Sequence, residues 1–314
     1  MKATQETSFI ITTEQLSRDF KDLRAVDSLD LNIQAEEIFG LVGPDGAGKT
    51  TTLRLLAGLL DITQGSAIVA GYDISRQAEA VKSKLGYMAQ QFSLYGELTV
   101  LENLEFFAEL FDVPRDIRKK RIPRLLGFAR LEEFQDRRAI HLSGGMQKKL
   151  ALACTLINEP EILLLDEPTT GVDPVSRREF WDILTELHLA GTTIVVSTPY
   201  MDEAERCSRV GLMHSGKMMV CDDPNKIRGM VEGELVEIST RDWQEARKVL
   251  YNFPGILEMQ IFGESLRLFL DPSQRSLPQI ISALVDHQVA IRGVRKAEPR
   301  MEEAFISLIR KLEN

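Results

Sequence analysis

Cysteine is scarce in this chain of 314 residues, which contains only Cys154, Cys207 and Cys221. The number is odd, and the spacing fits neither a disulfide framework nor a zinc site. This scarcity excludes a fold held together by disulfides and favours a reducing compartment.

Long apolar runs are also missing. No uncharged apolar stretch approaches the roughly 18 residues that would suggest a membrane span. The N-terminal stretch MKATQETSFIITTEQ (1–15) lacks the apolar core of a signal peptide. We therefore expect any membrane role to come through a partner protein.

Positive charge is in deficit. The net charge of −9 argues against nonspecific nucleic-acid binding, which needs a basic footprint. We interpret the densest basic run, RDIRKKRIPR (115–124), as a solvated helix face, with a lipid or nucleic-acid patch as the less favoured alternative. We predict no nucleic-acid partner.

The apolar pattern predicts two domains. Up to about residue 228, continuous apolar strands alternate with helical patterns, which is typical of an α/β fold with a parallel sheet covered on both faces. The predicted strands are 37–43, 161–167 and 192–198, and the predicted helices are 48–59, 144–158 and 175–189. Residues 210–220 predict a hairpin turning at Ser215 and Gly216.

The pattern changes after residue 228. Residues 229–314 predict the strands ELVEIST, ILEMQIF, LRLFLD and VAIRGVRKA, and helices over 241–252, 276–287 and 299–313. The order β-α-β-β-α-β is that of a small α+β, ferredoxin-like unit. We expect the last helix to pack an apolar face inside this unit; that face comprises Met301, Phe305, Leu308 and Leu312.

A phosphate-binding loop is predicted at GPDGAGKT (43–50), because a strand precedes it and a helix follows. Gly43, Gly46 and Gly48 allow backbone N–H groups to curl around phosphate oxygens. Lys49 would meet the β- and γ-phosphates, and Thr50 would ligate Mg²⁺. The predicted ATP-binding set also contains Asp45, Ala47 and Thr51.

Two carboxylates end the apolar strand ILLLDEP, at the edge where open α/β sheets bind ligands. Asp166 suits Mg²⁺, directly or through water, and Glu167 suits polarising an attacking water. Such a pair also occurs in ordinary helix caps. Combined with the phosphate loop, it indicates phosphoryl transfer.

The stretch LSGGMQKKLALA (142–153) resembles the signature motif of ATP-binding cassette (ABC) proteins, and it lies between the phosphate loop and the two carboxylates as that family requires. Ser143 is expected to cap a helix. Gly144 and Gly145 have no side chains, so they leave the N–H groups at the start of this helix accessible to an anion. The resemblance implies that these residues and Gln147 bind the ATP of a partner cassette. It also implies a P-loop ABC nucleotide-binding domain with a helical subdomain.

Other positions match the family one by one. Phe20 resembles the aromatic residue that stacks on adenine, with a core position as the alternative. Gln90 resembles the glutamine that senses Mg²⁺ and the attacking water, and its segment leads into the helical subdomain. Asp173, in GVDP (171–174), resembles the residue of the loop that crosses to the opposite protomer.

The resemblance also implies cofactors and partners. Family members dimerise head to tail, and each ATP lies between one phosphate loop and the other chain's signature. The expected cofactors are ATP and Mg²⁺. Because the C-terminal unit and the whole chain resemble ATPases of bacterial ABC-2-type multidrug exporters, the expected partners are a permease of that type and a second cassette. A heterodimer is favoured over a homodimer, at the cytoplasmic face of the inner membrane.

Two departures from the family pattern concern the ATP site. Pro199 replaces the histidine that touches the terminal phosphate, and proline has no side-chain donor and no backbone N–H. Asp45 stands where the family mostly has Asn or Ser. We therefore expect this chain's own site to be slow and its signature to activate hydrolysis at a partner's site.

Two other classes of ABC protein are the alternatives to an exporter subunit. A soluble cassette protein acting on ribosomes would usually carry two cassettes and a charged linker in one chain, and neither is present. A chromosome or repair ATPase would separate the phosphate loop from the signature by a coiled coil, and no heptads occur there. The exporter subunit is the favoured interpretation.

Overall fold

The computed structural model describes residues 9–91, 94–231, 233–271, 273–274 and 276–313, with side chains as far as residue 309. Contacts between residues divide the chain into two compact units, Met1–Pro224 and Asn225–Asn314. The sequence-based boundary after residue 228 therefore falls at the end of a short helix that begins at Pro224.

The strands follow the chain in this order: β1 (Phe9–Phe20), β2 (Leu23–Gln34), β3 (Ile38–Val42), β4 (Gln64–Val69), β5 (Tyr72–Asp73), β6 (Leu85–Met88), β7 (Ile162–Asp166), β8 (Thr193–Thr198), β9 (Arg209–His214), β10 (Lys217–Asp222), β11 (Glu234–Thr240), β12 (Ile256–Phe262), β13 (Ser265–Leu270) and β14 (Ile291–Lys296). The helices are α1 (Lys49–Leu56), α2 (Ala78–Lys82), α3 (Val100–Leu110), α4 (Arg115–Ala129), α5 (Gly144–Thr155), α6 (Pro174–Leu189), α7 (Met201–Ala204), α8 (Pro224–Arg228), α9 (Trp243–Leu250), α10 (Leu277–Asp286) and α11 (Met301–Glu313), with 3₁₀ turns at Glu132–Phe134 and Ala139–His141.

The central sheet of the first unit has six strands in the order β10-β9-β3-β8-β7-β6. The pairs from β9 to β6 are parallel, and only β10 at the edge is antiparallel. Every residue of β3, β7 and β8 is buried, as expected for parallel strands covered on both faces. The predicted α/β class and the three predicted strands are confirmed.

A second sheet of the first unit was not predicted. It is antiparallel, with the order β2-β1-β4-β5. Its buried side chains, such as Ile11 and Leu29, share one core with Leu53 and Leu56 of α1 and with Leu164 of the central sheet. The prediction of one parallel sheet was therefore incomplete for this unit.

The helical subdomain lies between β6 and β7 in the chain. Its helices α3, α4 and α5 pack against one another. Helix α3 begins with a capping box, in which the Thr99 hydroxyl accepts from the Glu102 N–H and the Glu102 carboxylate accepts from the Thr99 N–H. The basic run predicted as a helix face forms α4, where Arg121 donates to Ile157 O and to the Glu159 carboxylate.

The predicted hairpin at residues 210–220 is present as β9 and β10. His214 pairs with Lys217, so the connection consists of Ser215 and Gly216, whose φ values are 48° and 80°. Two central residues with positive φ are typical of the type I′ turn that matches the twist of a two-residue hairpin. None of the helices in the described part of the chain combines the length and the apolar character needed to cross a bilayer.

The second unit has the ferredoxin-like arrangement that its element order predicted. All strand pairs in its sheet are antiparallel, in the order β12-β13-β11-β14. One face of the sheet packs on α9 and α10 through a core of buried apolar residues, namely Val236, Ile238, Ala246, Leu250, Leu266, Leu268, Leu270, Ile280, Leu284 and Val289.

The last helix packs as its pattern predicted, as far as its side chains are described. Met301 and Phe305 are buried and Leu308 is half-buried, whereas the side chain of Leu312 lies outside the described residues. Glu303 of this helix pairs with Arg267 of β13. Arg267 stands opposite Glu237 in the sheet, and its Nε lies 3.5 Å from that carboxylate. A buried cation therefore ties α11 to the sheet.

Replacing Arg267 by alanine should destabilise the second unit strongly. The change leaves the Glu237 and Glu303 carboxylates buried without this cation, which costs about 3–5 kcal/mol. Urea denaturation followed by circular dichroism measures the loss in the free energy of unfolding. The control is Arg292→Ala, which breaks an exposed pair with Glu264 and should cost less than about 1 kcal/mol. Equal costs for the two variants would contradict the structural importance of the buried network.

Candidate functional site

The phosphate loop connects β3 to α1, and its conformation requires glycine. Gly48 has φ 101°, and a Cβ there would lie 2.5 Å from the carbonyl oxygen of Ala25. No other residue type fits both constraints. The loop is held from the side by the Gly216 N–H, which donates to Ala47 O at 3.0 Å. The hairpin turn thus supports the loop.

Lys49 lies inside the curve of this loop and is only 3% exposed. Its ammonium donates to Gly43 O at 2.8 Å and to Pro44 O at 3.0 Å. It also lies 3.2 Å from Glu167 Oε1, in a buried ion pair. The predicted phosphate-binding cation and the predicted water-polarising carboxylate are therefore in direct contact.

Asp166 is fully buried at the end of β7. Its Oδ1 accepts from the Thr50 hydroxyl at 3.0 Å and from the Ser197 hydroxyl at 2.7 Å. Tyr87 OH donates to Oδ2 at a longer 3.4 Å, and burial raises the pKa of this phenol. The structure thus brings together two of the predicted Mg²⁺ ligands, Thr50 and Asp166.

Glu167 has a positive φ of 44°, in the left-handed region that side chains other than glycine adopt at a cost. Ser197 stabilises this backbone, because its carbonyl and hydroxyl both accept from the Glu167 N–H, at 3.2 Å and 3.0 Å. On the side chain, Oε2 accepts from Gln90 Nε2 at 2.8 Å and from the Thr170 hydroxyl at 3.4 Å. The strained backbone therefore aims the carboxylate at Lys49 and Gln90.

A groove of about 930 Å³ opens over these residues. It is lined by Phe20, Leu23, Arg24, Ala25, Asp45, Gly46, Ala47, Gly48, Lys49, Thr50, Thr51, Gln90, Glu167, Thr170, Pro199, Tyr200, Ser215 and Gly216. Phe20 is 40% exposed with Arg18 4.8 Å from its ring centre, which argues against the alternative of a core residue. Such a volume suits a nucleotide-sized ligand.

The turn after β8 carries Pro199 into the groove. The turn itself is firmly held, because the Tyr200 N–H donates to the Thr198 hydroxyl at 3.0 Å and that hydroxyl donates to Glu203 at 2.7 Å. Pro199 therefore borders the predicted phosphate region without offering a hydrogen-bond donor.

The signature residues occupy a different place. Ser143 caps α5 by accepting from the Met146 N–H at 3.3 Å. A Cβ on Gly145 would lie 2.5 Å from the Ser176 hydroxyl oxygen, so glycine permits α5 and α6 to approach closely. Among the described residues that line the groove, none is Ser143, Gly144, Gly145 or Gln147. The structure thus does not bring the signature to the chain's own phosphate loop.

Asp173 caps α6, and its Oδ1 accepts from the N–H groups of Val175 and Ser176 at 3.0 Å and 2.9 Å. The hydrogen bond from Ser176 is the main reason that the pKa of this carboxyl lies below its ordinary value. The residue is exposed at the start of the helix, so an ionised carboxylate faces outward from the loop that the sequence predicted to meet a second protomer.

The donor set fits Mg²⁺. A hydroxyl, a carboxylate and an amide oxygen, from Thr50, Asp166 and Gln90, are the hard oxygen ligands that this ion takes together with substrate phosphates. In the described part of the chain, no group of three or more His, Cys, Asp or Glu side chains could hold a metal by itself. The ion would therefore depend on the nucleotide for part of its coordination.

Two residues of the cluster escaped the sequence analysis. Ser197 contacts both Asp166 and Glu167, and Lys148 donates to the Gln90 carbonyl at 2.7 Å. Burial lowers the pKa of Lys148, while the nearby charges of Asp166 and Glu167 act in the opposite direction. Ser197 is the last residue but one of β8, and the parallel register pairs it with Asp166 of β7, a pairing that the sequence does not show.

Comparisons relate the chain to ATP-binding subunits of transporters. The family model described as ABC transporter matches residues 26–170. The chain is 43% identical over 305 residues to the Escherichia coli (strain K12) protein named "Probable multidrug ABC transporter ATP-binding protein YbhF", an overlap of 96% of this chain and 52% of YbhF. This chain thus spans about half the length of that relative.

A second relative is matched along nearly its whole length. The chain is 35% identical over 303 residues to the Nod factor export ATP-binding protein I of Burkholderia pseudomallei (strain 1710b), covering 95% of this chain and 96% of that protein. Among solved structures, the fold resembles the dimeric, post-hydrolysis ATP-binding cassette MJ0796 bound to ADP and Pi. The TM-score is 0.63 at 27% identity, covering 68% of this chain and 98% of that cassette.

Replacing Lys49 by alanine should weaken Mg·ATP binding at least about tenfold, because a charged hydrogen-bond donor to phosphate is lost in a buried site. The change also leaves Glu167 unpaired beside the incoming phosphates. Isothermal calorimetry on the full chain measures the dissociation constant. Lys82→Ala, which breaks a pair with Glu79 on α2, is the control and should bind as the wild type does. Undiminished affinity in the Lys49 variant would refute the phosphate-loop assignment.

Proposed function

Because the chain belongs to the ATP-binding cassette family of ABC transporters, we propose that it is the ATP-hydrolysing subunit of a membrane exporter. Cassettes of this family bind ATP with Mg²⁺. The names of the two relatives, a probable multidrug ABC transporter ATP-binding protein and a Nod factor export ATP-binding protein, support export as the process. No observation favours the alternative of a ribosome- or DNA-associated ATPase.

One observation carries the proposal: the buried contact of Lys49 with Glu167, at the edge of the sheet where Thr50 meets Asp166. Loop N–H groups and Lys49 would bind the β- and γ-phosphates, and Thr50, Asp166 and Gln90 would hold Mg²⁺. The ion supplies neutralisation of phosphate charge when bound. Glu167, oriented by Gln90, would polarise the water that attacks the γ-phosphate.

We assign the signature to the ATP site of a second cassette. The N-terminus of α5 presents Ser143, Gly144 and free N–H groups, the arrangement that binds anions. This end of the helix lies outside the groove of its own chain, so its anion would come from another protomer. Asp173, exposed at the start of α6, would reach the same protomer. A heterodimer is the favoured assembly and a homodimer the alternative.

We assign the membrane contact to the helical subdomain. Three large apolar side chains around α3 are exposed: Tyr95, Leu110 and Phe111. Tyr95 also contacts Phe106 of α3, with ring centres 4.4 Å apart, and contiguous exposed apolar surface marks protein interaction sites. The partner would be an ABC-2-type permease, with the chain bound peripherally at the cytoplasmic face of the inner membrane.

We further propose that the two ATP sites of the cassette pair differ in activity. Pro199 lines the groove beside Glu167 and offers no donor to the γ-phosphate. Loss of one preorganised donor typically lowers turnover by about a hundred- to a thousandfold. Asp45 adds a negative charge to the same groove. This chain would therefore bind ATP mainly as a clamp and activate hydrolysis at the partner's phosphate loop.

Two variants distinguish the sites. In the membrane complex purified through a tag on this chain, Ser143→Arg should abolish most ATPase activity, because the arginine blocks the partner's nucleotide. Glu167→Gln should cost much less, because it affects only the slow site. Turnover of the purified complex is the measurement.

The control for the added arginine is Ser83→Arg, at an exposed serine that ends α2. It should leave turnover unchanged. The opposite ranking, in which Glu167→Gln removes nearly all activity and Ser143→Arg little, would mean that Pro199 is tolerated in catalysis. A homodimer with full turnover would refute the asymmetry as well.

For the second unit we propose a regulatory or dimer-stabilising role, since it carries no phosphate-binding motif. A chain that ends after Arg228 should keep its ATP affinity, because every residue that lines the groove lies before Pro224. Calorimetry on the folded fragment checks this expectation. A folded fragment without ATP affinity would show that the second unit takes part in nucleotide binding.

A further inference from the structure

Glu203 is a buried carboxylate to which the proposed chemistry gives no role. It lies on α7 just after the turn at Pro199 and is 1% exposed. One oxygen accepts from the Thr169 hydroxyl at 2.6 Å, and the other accepts from the Thr198 hydroxyl at 2.7 Å. Thr169 follows Glu167 closely in the chain, and Thr198 precedes Pro199. Glu203 therefore ties the segment that follows β7 to the end of β8.

Arg177 approaches this carboxylate from another element. It lies in the first turn of α6, the helix that Asp173 caps. Its Nε is buried and makes no hydrogen bond, although it lies 3.7 Å from Glu203 Oε1. That separation exceeds the 2.7–3.2 Å of an N–H···O hydrogen bond. A movement of well under 1 Å would give a buried donor its partner.

Tyr200 connects this pair to the nucleotide groove. Its ring lines the groove beside Pro199, and the Arg177 guanidinium stacks on the ring at 4.2 Å from the centre. A physical path of contacts thus runs from the groove through Tyr200 and Arg177 to the helix that begins at Asp173. Pro199, which has no donor of its own, lies beside this path and not within it.

We propose that Arg177 is a positioning residue that couples the nucleotide groove to the loop that meets the second cassette. Filling of the groove moves Tyr200 and α7, the Arg177 Nε–Glu203 hydrogen bond closes, and α6 with Asp173 shifts toward the partner. The inference rests on the proposed function, because it needs a cassette pair. Through this path the slow site of the chain would still control ATP hydrolysis at the partner's site.

The test uses the full-length chain and its tagged membrane complex with Mg·ATP. Arg177→Gln should lower kcat of the complex about tenfold while KM and the ATP affinity of the isolated chain stay within about twofold, as expected when coupling and not binding is lost. Arg177→Lys should restore part of kcat, because it keeps the charge near Glu203. Arg178→Gln makes the same change at the next, exposed residue of α6 and should have no effect.

A mutant cycle separates coupling from loss of structure. If Arg177 acts through the helix that Asp173 caps, the losses in kcat from Arg177→Gln and Asp173→Ala should be non-additive in the double variant. If Arg177 were merely structural, the two losses would multiply, Arg177→Lys would not rescue, and the melting temperature would fall with kcat. That outcome, or a kcat of Arg177→Gln within about twofold of wild type, overturns the inference.

A second pair of variants covers the case in which Arg177→Gln folds poorly because it leaves Glu203 buried without its cation. Glu203→Gln keeps a hydrogen-bonding amide at this position, and Arg177→Gln/Glu203→Gln removes both charges. Both should fold and both should show the low kcat with unchanged KM; wild-type kcat in the folded double variant overturns the proposal. A complex whose ATPase activity is insensitive to Lys49→Ala and Ser143→Arg would instead contradict the proposed function.

Discussion

The buried ion pair between Lys49 and Glu167 connects the two halves of the site. Lys49 belongs to the loop that follows β3 and Glu167 to the end of β7, and neither side chain is more than slightly exposed. Charges in such surroundings have to be paired and hydrogen-bonded, since taking each out of water costs several kcal/mol. The loop carbonyls accept hydrogen bonds from the Lys49 ammonium, and the Gln90 amide donates one to the Glu167 carboxylate. A phosphate bound in the loop would compete with Glu167 for the same ammonium, so nucleotide binding would favour release of the carboxylate.

Sheet order explains why this pair forms. The strand order β9-β3-β8-β7 places the ends of β3, β8 and β7 side by side, although these strands are far apart in the amino-acid sequence. Residues from the middle strand therefore bridge the two others: the Ser197 hydroxyl contacts both Asp166 and the Glu167 backbone. The Glu167 backbone keeps its strained φ because those hydrogen bonds hold it in place. The turn at Pro199 begins one residue beyond the same strand end.

In the proposed function, the groove and the signature would serve two different ATP sites. The groove is lined by the residues predicted to bind phosphate and Mg²⁺, but also by Pro199, at a position where the family pattern predicts a hydrogen-bond donor. At the N-terminus of α5, Ser143 caps the helix and Gly145 lies close to Ser176 of α6. Helices α5 and α6 pack against each other, so the signature and Asp173, the two features proposed to face a partner, lie on one pair of helices.

The motifs were readable from sequence because each encodes its geometry locally. In GPDGAGKT the glycines set the loop's backbone and the helix start aims its N–H groups, so Lys49 and Thr50 follow from eight consecutive residues. The same holds for the Ser143 cap and for the order of elements in the second unit, where alternating and helical periodicities fall in separate segments. The continuous apolar strands β3, β7 and β8 likewise predicted a buried parallel sheet.

The antiparallel sheet β2-β1-β4-β5 was missed, although β2 carries a strand signal: buried Leu29, Leu31 and Ile33 alternate with exposed polar residues. The arrangement of its strands is set by pairings across distant segments. Ser197, Lys148, Arg177 and Glu203 escaped for a related reason. Each acts through a neighbour supplied by sheet order or helix packing, and nothing in the local pattern of a lone Ser, Lys, Arg or Glu says which neighbour that is. Local sequence thus determined which groups this chain can bring to a phosphate. Tertiary structure decided which of them touch, because contacts between distant segments arise only when the whole core buries its apolar surface.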